Sequence, residues 1–365
     1  MSISSLSARE KAAFFLLLNY TMKRPGEKEA SGNRNQGTEI ANRLLLIANR
    51  SSPVKVGFID IGTNSVRYLA AEIPDRGEPA VIARGLSTPR LGEGLAAAGK
   101  LKPEAIRRTL EALAAVRDKL REEGVTSFDC VGTEALRSAR NADDFLRGAE
   151  NLGLTLEILS GEEEAGLILR GALTDLPLPS PNGVLADIGG GSTEIIVRRR
   201  GKSPSLLSLP LGCVRLREIF GGEDEVSRTK IREFCRGKLA EASVPESGSP
   251  LIGLGGTFTT LAAIERQLEV YRGEIVHGTR LSRRRMEEIR GMLCALPLDE
   301  RKKVVGLEPL RADIIIPGIA IAEALMDRLG AAEATVSDRG ILYGILSRRA
   351  DRVRCGRLSP RRSRP

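Results

Sequence analysis

The feature that most constrains the fold of this chain is a pattern that occurs twice. Val54-Lys55-Val56-Gly57-Phe58-Ile59-Asp60 reads as a strand, followed by the turn Ile61-Gly62-Thr63-Asn64-Ser65 and a second strand from Val66 to Ile73. Further on, Val184-Leu185-Ala186-Asp187 runs through Ile188-Gly189-Gly190-Gly191-Ser192-Thr193 into the strand Glu194 to Val197. Each copy continues alike. A third strand is expected near Ala80–Ala83 and at Ser205–Leu209, a helix at Pro103–Glu123 and at Glu225–Glu241, and an apolar strand at Phe128–Val131 and at Leu251–Leu254. The first copy adds a helix near Ala142–Glu150, a strand at Thr155–Leu159 and a helix from Glu162. Repetition over so long a unit predicts an internal duplication of an α/β domain, two related domains flanking a cleft, rather than an array of short repeats.

The 365 residues suffice for two cores. Leu176 to Asn182 carries three prolines and reads as the linker. The expected organisation is a flexible extension over 1–52, domain I over 53–175, domain II over 176–337 and a basic, disordered tail over 351–365. The C-terminal helix, 338–350, can return to domain I. Much of the formal net charge of +9 sits after Ser347, where Arg348, Arg349, Arg352, Arg354, Arg357, Arg361, Arg362 and Arg364 face a single Asp351.

Aromatic residues are only 3% and tryptophan is absent, so a nucleic-acid module built on stacked bases is disfavoured. The five cysteines have no paired spacing and there is one histidine, His277, which argues against a zinc site or a histidine-based acid–base pair. Chemistry then falls to carboxylates, hydroxyls, arginines and backbone amides. The apolar run Ala12 to Leu18 is too short to span a bilayer and no small-residue cleavage pattern follows it, so a cytoplasmic protein without membrane association is expected.

A turn such as Gly62-Thr63-Asn64-Ser65 can aim several N–H groups and hydroxyls at one point, as phosphate cradles do. Gly189-Gly190-Gly191-Ser192-Thr193 offers a second cradle. A third candidate, Gly255-Gly256-Thr257, follows a strand and opens a helix, whose N-terminus favours anions. Asp60 and Asp187 precede the first two turns and are the expected ligands of Mg²⁺, with Mn²⁺ as the alternative. Two opposed cradles suit a chain of phosphates.

On these residues the chain resembles the exopolyphosphatase and guanosine pentaphosphate phosphatase family of the actin-like, sugar kinase and Hsp70-like ATPase superfamily, whose domains are ribonuclease H-like. The motifs occur in order: Phe58 to Arg67, Arg90-Leu91-Gly92-Glu93-Gly94-Leu95, Gly132-Thr133-Glu134-Ala135-Leu136-Arg137 and Ser160-Gly161-Glu162-Glu163-Glu164-Ala165. They continue with Asp187 to Glu194, Gly253 to Thr257, Val276-His277-Gly278 and Val336-Ser337-Asp338-Arg339-Gly340. The resemblance implies Mg²⁺-dependent removal of the terminal phosphate from inorganic polyphosphate, or of the 5′-terminal phosphate from guanosine pentaphosphate. It also implies catalytic acids at Glu134 and in the Glu162–Glu164 run, Glu164 foremost and Glu163 next. A homodimer is expected.

Arg90 and Arg137 stand beside these motifs and are the arginines expected on phosphate oxygens, since a guanidinium binds two at once. His277 can contact substrate or make a structural hydrogen bond. The chain departs from the family at Gly166, where arginine is frequent, and at Pro309-Leu310-Arg311-Ala312-Asp313 in place of Gly-Arg-Ala-Asp. It is expected to lack the extra helical domains of longer members. An ATP-binding kinase or ATPase of the superfamily, and a non-catalytic sensor of polyphosphate, are the competing readings.

Overall fold

The computed structural model describes residues 53–74, 77–174, 182–242, 244–245 and 248–354. The readings of a flexible extension over 1–52, of the proline linker except Asn182, and of the tail from Cys355 onward lie outside them. The described residues of 55–71 and 80–354 form one compact unit, which holds the site described below. The other unit, residues 1–54 and 72–79, is described only at Pro53, Val54, the end of the second strand and part of the turn after it.

The elements follow in the order β1 (Val54–Ile61), β2 (Val66–Ile73), β3 (Ala80–Ser87), α1 (Leu95–Ala98), α2 (Pro103–Glu122), β4 (Ser127–Gly132), α3 (Glu134–Ser138), α4 (Ala142–Asn151), β5 (Leu156–Ile158) and α5 (Gly161–Ala172). The second copy supplies β6 (Gly183–Ile188), β7 (Thr193–Arg198), β8 (Ser205–Leu209), α6 (Cys213–Phe220), α7 (Glu225–Glu241), β9 (Leu251–Leu254) and α8 (Gly255–Glu265). After it come α9 (Gly273–Val276), β10 (Arg280–Ser282), α10 (Arg283–Ala295), α11 (Leu298–Arg301), a 3₁₀ turn (Pro309–Arg311), α12 (Ile315–Leu329), β11 (Glu333–Val336) and α13 (Ile341–Arg354).

The duplication is visible in the topology. The first sheet has the order β3-β2-β1-β4-β5, and the second, read from its far edge, runs β8-β7-β6-β9-β11 with β10 added outside. In both, a central strand (β1 or β6) pairs in parallel with the strand that follows a helical crossover, β4 or β9. On its other side lies the hairpin partner reached by a short turn, and β7 and β8 extend that side antiparallel. Ligands of such sheets bind outside the carboxyl ends of the parallel strands. Asp60 and Asp187 sit there, in register with Val131 and Leu254 respectively.

Local sequence explains the supporting helices. In α2, Ala105, Thr109, Leu113, Val116 and Leu120 are buried at spacings of three or four, one face of a helix, while Pro103 starts it and Gly124, at φ 80°, ends the turn beyond. By contrast α12 is apolar nearly all round and is buried over most of its length. Among the described residues a large core cluster lies under each sheet. The last helix runs to Arg354, into the stretch read from sequence as a tail, and packs along α5. Arg170 bonds Ser347 and Asp351, and Arg348 reaches Glu157.

Candidate active site

Two turns close in the same way. Gly62 N–H donates to the Ser65 carbonyl at 3.0 Å and Gly189 N–H to the Ser192 carbonyl at 3.0 Å. Several of their other carbonyls are tied to outer segments. Thr63 O accepts from Gly92 N–H and Asn64 O from Arg90 N–H, while Gly189 O and Gly190 O accept from Cys213, Val214 and Arg215 N–H. The N–H groups of Thr63, Asn64, Gly190 and Gly191 have no carbonyl partner among the described residues. Amides freed in this way form an anion-binding concavity.

The turns also touch. A β-carbon on Gly190 would lie 3.1–3.2 Å from Thr63 and Asn64, so glycine is what permits the approach. Together they line a cavity of about 60 Å³. Thr133, Glu134, Glu164, Asp187, Glu194, Arg67 and Arg311 complete its wall.

Several local devices set the carboxylates. Ser160 caps α5 by accepting Glu163 N–H at 3.2 Å, and Glu163 Oε2 accepts Ser160 N–H at 2.8 Å, a reciprocal capping box. Glu163 is thereby committed to the helix end, and Glu164, about 100° further round, is the buried one that faces the cavity. Arg137 bridges two acids, with Nη1 3.2 Å from Glu164 Oε2 and Nη2 3.0 Å from Glu134 Oε2. Glu134 Oε1 accepts from Ser138 Oγ at 2.6 Å and from Arg215 Nη2 at 2.7 Å. Glu194 Oε1 accepts from both Ser192 Oγ and Ser208 Oγ at 2.8 Å.

The negative charge is dense for a buried site. Asp187 and Glu194 are directly opposite each other across β6 and β7. Like charges so placed oppose ionisation. Burial foremost, then Asp187, push the Glu194 carboxyl up to about 7 against the hydrogen bonds from Ser208 and Ser192. Burial, then Glu194 and Asp60, raise Glu164 well above the ordinary carboxylate range, with Arg137 opposing. Burial raises Asp187 too, which Arg67 counters and Asp60 reinforces. Asp60 Oδ2 is held by Arg67 Nε at 2.8 Å, while its Oδ1 is buried without a hydrogen-bond partner.

Of the residues singled out in the sequence, Gly62, Thr63, Asn64, Ser65, Asp187, Gly189, Gly190, Gly191, Ser192, Gly256, Glu134 and Glu164 line this one cavity. Asp60 and Arg137 stand directly behind it through Arg67 and the two glutamates. Thr193 belongs to β7 and donates its hydroxyl to the Leu211 carbonyl. Gly255 and Thr257 fall within the first turn of α8, not in a loop before it. Glu163 lies outside. So does Arg90, whose guanidinium pairs bidentately with Asp313 at 2.7 and 2.9 Å and donates to Leu310 O at 2.6 Å. His277 accepts Asp338 N–H at Nδ1, 3.3 Å.

Arg67, Glu194, Arg215 and Arg311 were not singled out. For two of them a signal exists, because a charge inside an otherwise apolar strand is unusual, as in Val66-Arg67-Tyr68-Leu69, where Arg67 is half-buried, and Thr193-Glu194-Ile195-Ile196, where Glu194 is buried. Arg215 and Arg311 reach the site only through tertiary folding.

Arg67, Asp187, Gly256 and Arg311 also line a neighbouring cavity of about 620 Å³. Tyr68, Tyr271, Tyr343 and several leucines make much of its wall.

Against known proteins, residues 71–353 match the Ppx/GppA phosphatase family. The chain belongs to this family. It is 34% identical over 310 residues to exopolyphosphatase 2 of Mycobacterium tuberculosis, an alignment covering 80% of this chain and 97% of that protein. It is 28% identical to the guanosine-5'-triphosphate,3'-diphosphate pyrophosphatase of Aeromonas hydrophila, over 80% of this chain and 60% of that longer protein. The crystal structure of the Aquifex aeolicus Ppx/GppA family member superposes with a TM-score of 0.67 at 30% identity, covering 84% of this chain and 99% of that one. The expected fold class, two duplicated actin-like α/β domains, is thus the family's. No described helix is long and apolar enough to cross a membrane.

Proposed function

We propose that this chain is an exopolyphosphatase, releasing the terminal phosphate of inorganic polyphosphate by hydrolysis with the help of Mg²⁺. The observation that carries the reading is the convergence of two amide-lined turns, two buried glutamates, Glu164 and Glu194, and the half-buried Glu134 on one cavity. The turn amides, with Arg67 and Arg311, bind the terminal phosphate's oxygens and offset their charge. Water attacks the terminal phosphorus, its proton passes to a carboxylate, and the bridging P–O bond breaks to leave a shortened chain. Glu164 and Glu194, held above the ordinary carboxylate range, accept that proton more readily than an ordinary carboxylate. Glu134, already accepting from three donors, orients the site through Arg137 and Arg215.

The residues fit a hard cation. Asp60 offers a buried oxygen without a partner, Asp187 lines the cavity, and the surrounding acids outweigh Arg67. No three such ligands converge into a protein-only cage among the described residues. That suits Mg²⁺, which is held by one or two carboxylates with water and substrate phosphates. Bound there, the ion would neutralise charge on the phosphate oxygens. The test is phosphate release from short polyphosphate, long polyphosphate and guanosine pentaphosphate, with and without Mg²⁺. No release from any of them sinks the reading. Asp60→Asn and Asp187→Asn should raise the half-saturating Mg²⁺ concentration, and unchanged values in both would place the metal elsewhere. The expectations of a homodimer and a cytoplasmic location belong to the same reading, and sedimentation tests the first.

One observation favours guanosine pentaphosphate as a second substrate. The 620 Å³ cavity with its tyrosine and leucine walls adjoins the phosphate cavity through Arg67 and Arg311, and a nucleoside fits such a space. Release from guanosine pentaphosphate faster than from polyphosphate would promote this reading to first place.

A further inference from the structure

The turn between β7 and β8 carries four cations within five residues: Arg198, Arg199, Arg200 and Lys202. Arg199, Arg200 and Lys202 are exposed and Arg198 is half-buried. The turn is a defined one. Lys202 N–H donates to Arg199 O, Gly201 takes the left-handed conformation at φ 71°, and Arg200 N–H is held by Asn182 Oδ1 at 2.8 Å. No described carboxylate lies within ion-pair distance of any of the four side chains.

That is unlike the other basic runs of this surface. Arg283, Arg284 and Arg285 are matched by Glu323, Glu288 and Glu265, and Lys302 and Lys303 by Asp299 and Glu300. An exposed cluster with no described carboxylate in ion-pair reach keeps its field for a ligand.

We propose that this hairpin is a second binding site for the body of a long polyphosphate chain whose end occupies the catalytic cavity. The inference rests on the exopolyphosphatase reading and adds chain-length discrimination to it. The chemistry of the turn selects the partner. It has no aromatic residue on which a base could stack, which disfavours single-stranded nucleic acid. Residues 199–204 hold no large apolar side chain to enter a lipid surface. What remains is affinity for closely spaced negative charge. The turn sits at the far end of β7 from Thr193, about 17 Å along the strand at roughly 3.3 Å per residue. A short substrate confined to the cavity does not reach it, whereas a long one does.

The experiment compares the full chain with its Arg199→Ser/Arg200→Ser/Lys202→Ser variant. Direct binding of long inorganic polyphosphate and of a single-stranded oligonucleotide is measured over a range of salt, with phosphate release from tripolyphosphate and from long chains. The variant should bind long polyphosphate about tenfold more weakly at low salt. Its log–log salt dependence should be shallower by about two, since each of three lost cations contributes roughly 0.7 for single-stranded polyanions. Its kcat and KM on tripolyphosphate should be unchanged, and Arg199→Lys/Arg200→Lys should bind as the wild type does. Equal affinity and slope in variant and wild type overturn the proposal. So does an equal loss on tripolyphosphate, or a loss seen only with the oligonucleotide. If the wild type binds long chains but releases no phosphate, the catalytic reading fails while the binding comparison still decides the hairpin.

Discussion

Gly191 stands so close to Thr63 that a β-carbon on the glycine would lie 2.6 Å from the threonine Oγ1, and 2.7 Å from Glu134 Cγ as well. One small residue therefore sets the spacing between the two turns and Glu134. Gly191→Ala should lower kcat/KM at least about tenfold through misplacement of reacting groups. Overpacking should cost about 1–3 kcal/mol of stability. Steady-state kinetics beside a denaturant titration check this, and wild-type kinetics would mean that the turns need not touch.

The proposed proton acceptors make a second test. Glu164→Gln and Glu194→Gln should each lower kcat by about 10²–10⁴ with little change in substrate binding. Because Glu164 and Glu194 are raised and interact, they titrate as a pair. Wild-type kcat/KM should rise with pH through about 7, the value to which Glu194 is pushed, as the base form becomes populated. A flat profile between pH 5 and about 8 would remove these residues from the proton transfer.

The same shift has a stability consequence of opposite sense. Glu194 keeps its proton in the folded chain up to about 7, whereas the unfolded chain loses it near the ordinary value of 4.5. Its contribution is complete below about 4.5 and is lost as pH rises through about 7, a fall of about 3 kcal/mol. Metal-free wild type should thus lose stability across this window, and Glu194→Gln should flatten the slope. Chemical denaturation at a series of pH values decides it.

Arg90 gives the fourth test. Its backbone lies at φ 57°, unusual for a residue with a side chain, and its N–H holds the Asn64 carbonyl of the first turn. Its guanidinium holds Asp313, two residues after Arg311 of the cavity. Arg90→Ala and Asp313→Ala should each weaken kcat/KM several-fold, and the double variant should be no worse than the more affected single one, a coupling of about 1 kcal/mol. Additive losses would return Arg90 to a direct phosphate contact.

Much of this was legible in the chain because main-chain geometry writes itself into local sequence. The Asp60 to Ser65 and Asp187 to Ser192 turns need glycine and hydroxyl residues at fixed offsets, so both appear as readable strings. Ser160 and Glu163 likewise spell a capping box. What local sequence did not carry was the partner of each arginine. Arg90 and Arg137 look alike beside their motifs, yet one faces Asp313 and the other Glu134 and Glu164, over sequence separations of 223 and 27 residues in the longer pairs. The glutamate triplet by itself did not say which member turns inward; the resemblance put Glu164 first, and the cap at Ser160 fixes the helical phase that buries it.

The carbonyls of the two turns are bonded outward to the segments around Arg90–Gly92 and Cys213–Arg215, so the groups presented to the anion are main-chain amides. A main-chain donor cannot be removed by substituting the side chain it belongs to. On the proposed reading, the amides' grip on phosphate is therefore insulated from point mutation, while the tyrosines of the adjoining cavity are free to change what the phosphate is attached to. Divergence within such a scaffold would redistribute substrates without rebuilding the part that holds them.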